Sequence, residues 1–216
     1  MQEFSILRSD YDVRVGLKRL ELDKDSLVIV SDAAFLARIN TTPNHALNAA
    51  GTYSYHEGIR KMRDILVGEN WASSRESNVE YVENQSIMTR IAFCNVFKAA
   101  STIYDPEPVS PRRSASAAAC NANYHQFTLD LAFEKESEPS KLPVDIDWKT
   151  YYLMVGEDGT AELSLPLVCE SGKFYELVER IFLVTEEDLD NDPHISHVPS
   201  DLGPEPDYEI EVARKT

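Results

Sequence analysis

Apolar and polar residues follow two different periods along the first part of the chain. Residues 11–17 alternate with a period of two and predict an early strand, although Leu20 and Leu22 leave a helix open. The apolar run over residues 27–30 predicts a buried strand, and the following residues predict a helix over 33–38. A strand that leads into a helix indicates an α/β-like N-terminal portion.

The signal for a helix over residues 55–67 is stronger. Ser54 and Glu57 have the spacing of a capping box, and Gly68 follows at the position of a left-handed C-cap. Three apolar residues share one face at helical spacing: Ile59, Met62 and Leu66. The pattern therefore predicts a capped amphipathic helix.

The middle of the chain changes character twice. Residues 87–97 are apolar at spacings that fit a strand or a helix, and the strand is favoured. From residue 105 to residue 123 the composition shifts to proline and then to serine and alanine. Such a composition is typical of a linker or a long surface loop.

The period of two returns in the second half. Alternating or continuous apolar residues predict four strands, over residues 125–133, 151–155, 160–167 and 174–184. Asp158-Gly159 and Ser171-Gly172 have the residue types of tight reversals between strands. Alternation over residues 208–212 also allows a final strand near the C-terminus. These patterns predict an antiparallel β-meander.

Taken together, the patterns predict an α+β protein. The predicted portions are a mixed α/β portion (1–104), a linker or long loop (105–123), an antiparallel β-sheet portion (124–184) and an acidic tail (185–216). The same patterns are compatible with a single domain. The chain has no apolar run near eighteen residues, so we expect no membrane span.

Charge is distributed unevenly along the chain. Its 37 acidic and 21 basic residues give a net charge of −16. Residues 1–104 contribute 12 basic and 13 acidic residues, whereas residues 105–216 contribute 9 and 24. The stretch from Glu186 to Glu211 holds ten carboxylates and no lysine or arginine. This stretch must be solvated, bind metal or dock on a basic surface, and direct binding to nucleic acid is not expected.

The candidate interaction residues are of both signs. A basic cluster lies in the predicted helix, at Arg60, Lys61 and Arg63, opposite its apolar face. The acidic candidates follow the predicted meander: Glu186, Glu187, Asp188, Glu205, Asp207 and Glu209. The two sets could meet within one chain or between chains, although a charge run is most often a solvated face.

One group of residues has the chemistry of a divalent metal site. Five potential ligands fall within ten residues: Asp188, Asp190, Asp192, His194 and His197. Pro193 and Pro199 stand where a calcium-binding EF-hand loop needs glycine and glutamate, so that motif is excluded. An acidic loop is the simpler interpretation, and the sequence suggests no cofactor other than this metal ion.

Candidates for catalysis are weaker. Tyr53, Tyr55 and His56 could handle protons at the start of the predicted helix, but Glu57 beside them is explained as a capping residue. The sequence has no nucleophile elbow, phosphate-binding loop or dinucleotide-binding glycine pattern. The three cysteines have neither metal-site nor disulfide-framework spacing, which indicates reduced thiols in the cytoplasm.

These observations favour a non-enzymatic protein that works through protein–protein contacts. We expect an acidic interaction or assembly protein that docks on a basic surface of a partner or of a second copy, for example within a larger particle. One alternative is an acidic mimic of nucleic acid that inhibits a DNA- or RNA-binding protein. Another is a cytosolic enzyme that uses the metal candidates or the histidine and tyrosines.

Overall fold

A seven-stranded mixed β-sheet forms the centre of the molecule in a computed structural model that describes residues 5–133 and 148–191. The strands are β1 (Ser5–Leu7), β2 (Ala72–Glu76), β3 (Val79–Asn84), β4 (Thr89–Val96), β5 (Lys149–Gly156), β6 (Ala161–Glu170) and β7 (Lys173–Val184). The helices are α1 (Asp10–Arg19), α2 (Lys24–Ile39), α3 (Ala49–Leu66), α4 (Ser114–Phe133) and α5 (Glu186–Asn191).

The order of strands across the sheet is β1-β7-β6-β5-β4-β3-β2. Strands β4 and β5 are parallel, as are β1 and β7, and the other neighbours are antiparallel. The predicted α+β class is confirmed. The predicted meander is present in β5, β6 and β7, but the sheet as a whole is mixed and includes strands from both halves of the chain.

Helices α1, α2 and α3 cover one face of the sheet and bury the larger apolar core. In α2 the buried residues have the spacing i, i+3, i+4, i+7: Leu27, Val30, Ser31 and Ala34. The strand predicted over residues 27–30 is therefore wrong, and the predicted helix over 33–38 is the second half of α2. Ile29, in the middle of the apolar run, is 48% exposed, as expected on the outer face of a helix.

Helix α1 also replaces a predicted strand. The strand over residues 11–17 is wrong and the helical alternative is correct, because Val13, Gly16 and Leu17 are buried at helical spacing. Ser9 caps the helix by accepting a hydrogen bond from the Asp12 backbone N–H at 3.2 Å.

Helix α3 confirms the predicted amphipathic helix but begins earlier, at Ala49. The capping box is wrong: Ser54 is buried inside the helix and donates to the Asn95 side-chain oxygen at 2.8 Å. At the other end Val67 is extended, so Gly68 is not a left-handed cap. The predicted apolar face is confirmed by the burial of Ile59 and Met62 in the core.

Several local predictions for the strands are confirmed. Residues 87–97 contain β4, in agreement with the favoured alternative. Both predicted reversals occur, and Gly159 and Gly172 adopt positive φ angles of 93° and 81°, which glycine tolerates without strain. The possible strand over residues 208–212 lies outside the described residues. No helix among the described residues is long and apolar enough to cross a membrane.

Helix α4 packs on the other face of the sheet and corrects two predictions. The strand over residues 125–133 is wrong, and residues 114–123 are helical rather than part of a loop. The residues that α4 buries are small or polar but fall at helical spacing: Ser116, Ala119, Cys120 and Asn123. The three cysteines are free thiols, and burial raises the pKa of Cys94.

Asn123 joins α4 to the sheet at a defect in the ladder between β5 and β6. The last pair of the ladder is Tyr152 with Ser164, and continuing the same register by two residues places Thr150 opposite Pro166, which has no N–H to donate. The Asn123 amide nitrogen donates to the Thr150 and Pro166 carbonyl oxygens at 2.9 and 2.8 Å. Its side-chain oxygen accepts from the Thr150 N–H at 2.7 Å. One side chain thus satisfies three buried backbone groups at the position where the proline supplies no N–H.

We expect Asn123→Ala to lower the free energy of unfolding by about 2–4 kcal/mol, because it leaves these buried backbone groups unpaired. The matched control is Asn121→Ala, which makes the same change at an exposed position of the same helix. The control should be neutral or slightly stabilising, since alanine favours helices. Urea unfolding of the two variants and the wild type measures the difference, and equal midpoints for both variants would contradict the proposed role of Asn123.

Candidate interaction surface

A buried ion pair lies on the sheet face opposite α1, α2 and α3. Glu162 in β6 is 0% exposed and Arg180 in the adjacent β7 is 4% exposed. The guanidinium donates to both carboxylate oxygens, with Nε–Oε1 and Nη2–Oε2 distances of 3.0 and 2.7 Å. This two-point geometry is the strongest arrangement for an arginine and a carboxylate.

Two further donors complete the environment of the Glu162 carboxylate. The Ser164 hydroxyl donates to Oε1 at 2.6 Å, and the Ala100 backbone N–H donates to Oε2 at 2.6 Å. The Arg180 guanidinium also lies 5.1 Å from the centre of the Phe182 ring. Buried charges need this degree of hydrogen bonding to offset the loss of water.

The same ion pair holds the segment that follows β4. Arg180 lies 3.4 Å from the Tyr104 carbonyl oxygen and 3.4 Å from the Asp105 carboxylate. Immediately before β6, the Thr160 hydroxyl oxygen accepts from the Ala99 N–H at 2.9 Å. Together with the Ala100 contact, these bonds fix the backbone on both sides of Ile103.

The fixed segment presents two apolar side chains to solvent. Ile103 is 79% exposed and Tyr104 is 64% exposed. Ile103 lines a cleft of about 630 Å³ together with the first residues of α5. We call this region the acidic cleft; it is lined by Arg8, Ser9, Asp10, Lys24, residues 100–103, Phe182 and residues 185–188.

Helix α5 is attached to the sheet at its first turn. The Asp188 carboxylate accepts from the Thr185 N–H and hydroxyl, both at 2.8 Å, and the Thr185 hydroxyl oxygen accepts from the Asp188 N–H at 3.3 Å. This reciprocal arrangement is a capping box with aspartate in place of glutamate. Glu186 pairs with Lys98, which precedes the fixed segment. The acidic helix and the apolar pair are therefore held side by side.

The charge of the cleft is mixed but predominantly negative. Four carboxylates line it, at Asp10, Glu186, Glu187 and Asp188, against two cations at Arg8 and Lys24. Lys24 already pairs with Asp10 at 3.1 Å. Near the cleft, the hydrogen bond to Glu186 raises the pKa of Lys98, so this lysine keeps its charge at neutral pH.

The two arginines of the predicted basic cluster form ion pairs with nearby carboxylates of the same chain. On α3, Arg60 contacts Glu57 at 2.7 Å and Asp64 at 2.5 Å. Arg63 contacts Glu80 of β3 at 2.5 Å. These pairs reduce the positive field of the helix, and a role for the cluster in association, including Lys61, stays a prediction. The acidic candidates Glu205, Asp207 and Glu209 lie outside the described residues.

Only two of the five metal candidates lie within the described residues. Asp188 and Asp190 lie on α5, and Asp188 is engaged as the helix cap. Asp192, His194 and His197 lie outside the described residues. Within residues 5–133 and 148–191, no three or more histidine, cysteine, aspartate or glutamate side chains are grouped to hold a metal ion. The metal site stays a prediction.

The histidine and tyrosines considered for catalysis face different surroundings on α3. Tyr53 is 45% exposed and lies edge-on to His45, with ring centres 5.7 Å apart. His56 is exposed, whereas Tyr55 is half-buried and packs against Phe93. Glu57 pairs with Arg60 rather than capping the helix.

Sequence reasoning missed the residues that build the acidic cleft. Glu162 and Ser164 alternate with apolar residues in β6, and such a pattern normally marks a solvated face. Ile103 and Tyr104 stand just before the proline-rich segment, and an isolated apolar pair in such a position is a signal that could have been noticed. Glu179 and Arg180 are adjacent charged residues between the apolar pair Leu177-Val178 and the apolar run over residues 181–184 of β7, which is a second such signal.

We expect Arg180→Met to lower the free energy of unfolding by about 3–5 kcal/mol, because it leaves the buried Glu162 charge unpaired. Arg14→Met is the control: Arg14 pairs with Asp10 on the surface, where loss of an ion pair costs about 1 kcal/mol or less. Adding Glu162→Gln to Arg180→Met should restore part of the loss, since it removes the orphaned charge. Chemical unfolding of the wild type, the control, the single variants Arg180→Met and Glu162→Gln and the double variant tests this, and a double variant as unstable as the sum of the two single changes would argue against the ion pair.

Comparison with known proteins gives no match to a family model, a curated protein or a solved structure. The functional interpretation of this surface therefore depends on its own geometry, exposure and charge.

Proposed function

We propose that this chain is a non-enzymatic interaction protein that binds a partner protein carrying a basic surface. The acidic cleft is the proposed docking site. Ile103 and Tyr104 would enter an apolar part of the partner, and the carboxylates of α5 would face its lysines and arginines.

The observation that carries the proposal is the exposure of Ile103 and Tyr104 on a rigidly held backbone beside α5. Large apolar side chains that protrude together from a polar surface commonly mark binding sites. Burial of a side chain of this size contributes about 1.5–3 kcal/mol. Because hydrogen bonds to Glu162 and Arg180 already order the segment, little conformational entropy would be lost on binding.

Charge indicates the chemistry of the partner. The chain carries a net charge of −16, and its stretch from Glu186 to Glu211 has no basic residue. A field of this sign accelerates encounter with a basic surface and disfavours acidic partners. Exposed ion pairs contribute little affinity individually, so the apolar pair would supply most of the binding energy and the carboxylates most of the selectivity.

The direct experiment is photo-crosslinking in cells of the source organism. A photoreactive amino acid at position 103 should capture a protein with a basic surface. The same amino acid at position 47 is the control, because Leu47 is also an exposed aliphatic residue but lies outside the acidic cleft. Products specific to position 103 identify the partner, and identical products at both positions would contradict the proposal. Capture of a second copy of this chain would indicate self-association instead.

With the purified partner, we expect Ile103→Asp to weaken binding by about tenfold or more, equivalent to 1.4 kcal/mol, while the fold is kept. Leu47→Asp should have no effect. The charge reversal Glu187→Lys with Asp190→Lys should slow association and reduce its dependence on salt, since it removes long-range attraction. Calorimetry and stopped-flow measurements at low and high salt test both effects. Binding that is indifferent to salt and to Ile103→Asp would overturn the proposed surface.

A further inference from the structure

Arg112 lies in the connection before α4 and has an unusual environment for this acidic chain. Its backbone N–H donates to the Gly172 carbonyl at 3.0 Å, which fixes the residue against the turn between β6 and β7. Its side chain is half-buried, and the Nε–H is shielded from solvent without a hydrogen-bond partner. No carboxylate among the described residues forms an ion pair with it. A shielded donor without a partner is an incomplete arrangement, because buried polar groups are normally hydrogen-bonded.

The side chain faces a cleft of about 670 Å³, which we call the Arg112 cleft. The cleft is lined by Tyr55, residues 77–79, Phe93, Pro111, Arg112, Arg113 and residues 114–116. This lining contains two arginines and no aspartate or glutamate, although acidic residues outnumber basic ones by 37 to 21 in the whole chain. A second cleft of about 460 Å³ shares Tyr55 and Arg112 with it. The lining of the Arg112 cleft is therefore basic, whereas the chain as a whole is acidic.

A second unsatisfied polar group lies next to this cleft. Tyr152 is 0% exposed, and its hydroxyl is close to the Ser116 side chain and to the charge of Arg112. The hydroxyl has no hydrogen bond of good geometry in the described part of the chain. Ser116, which lines the cleft, stands between this buried hydroxyl and the cleft space. Among the groups that line the cleft itself, the Arg112 Nε–H is the buried donor without an acceptor.

The N-terminus of α4 adds a favourable dipole. The helix has 20 residues and no acidic residue in its first turn, so its own side chains do not neutralise the positive end. The Arg113 carbonyl accepts the Ser116 and Ala117 N–H groups, which makes Arg113 the residue at which the helix begins. Arginine side chains and a helix N-terminus that face one space are a favourable setting for a phosphate group.

The rest of the lining is suited to an organic group. Val79 and the half-buried Tyr55 ring supply apolar surface, and the volume exceeds what an inorganic anion fills. Burial raises the pKa of Tyr55, so its hydroxyl is a neutral donor at physiological pH. The hydroxyls of Ser114 and Ser116 provide further donors.

We propose that the Arg112 cleft binds a small organic phosphate monoester. Its phosphate group contacts Arg112, Arg113 and the N-terminal N–H groups of α4, and its organic group lies on Tyr55 and Val79. This site is independent of the acidic cleft and does not rest on the proposed protein partner.

Binding of phenyl phosphate, measured by calorimetry and by the rise in melting temperature, tests the proposal. The wild type should bind phenyl phosphate more tightly than inorganic phosphate and should not bind benzyl alcohol, which lacks the charge. Arg112→Met should weaken binding about 10- to 100-fold, and Arg112→Lys should be intermediate because it keeps charge without the planar fork. Arg14→Met, which removes an exposed arginine that lines neither cleft, is the matched control and should bind as the wild type does.

A measurement on the unaltered protein makes the test independent of variant folding. Phenylglyoxal modifies accessible guanidinium groups, and mass spectrometry of the peptides reports each arginine separately. Phenyl phosphate should protect Arg112 but not Arg14. The proposal is overturned if the wild type binds neither phosphate compound, if folded Arg112→Met binds as the wild type does, or if Arg112 and Arg14 are protected equally.

Discussion

The buried pair between Glu162 and Arg180 is the interaction on which the placement of the surface depends. It joins β6 to β7 and, through the Ala100 N–H and the Tyr104 carbonyl, joins both strands to the segment after β4. A buried ion pair is weak evidence for stability by itself, since desolvation offsets much of the attraction. Here each group also makes a backbone hydrogen bond to one surface segment, in addition to the side-chain contacts of Glu162 with Ser164 and of Arg180 with Asp105. The main role of the ion pair is therefore to fix the position of the segment after β4.

The sequence predicted the parts of the fold that short-range chemistry determines. The reversals at Gly159 and Gly172 and the apolar face of α3 follow from single residues or from one helical period. Prediction from the sequence failed where the same residues fit both a strand and a helix. In α2 the four-residue apolar run is compatible with a strand, and only the tertiary contacts that bury Leu27 and Val30 but expose Ile29 decide for a helix.

Helix α4 shows a different reason for failure. The face that it buries consists of small and polar residues, so its hydrophobic period is almost absent, and the apolar residues that remain happen to alternate. The reason for burying Asn123 lies elsewhere in the chain, at Pro166, which interrupts the ladder between β5 and β6. A buried polar residue whose hydrogen-bond partners are distant in sequence cannot be recognised from its own neighbours in sequence. The same holds for Glu162, whose partners include Ala100, far away along the chain.

Residues 97–113 form a connection of seventeen residues that contributes to both proposed sites. Connections of this length are uncommon in compact domains and are usually functional. Midway between the sites the segment returns to the end of β4: Pro108 bridges Val96, and the Phe97 N–H donates to the Glu107 carbonyl at 2.9 Å. Coupling between two sites requires an element with two arrangements that both ligands influence. A segment fastened to the sheet between Tyr104 and Arg112 provides no such element, so occupation of one site should leave the affinity of the other unchanged.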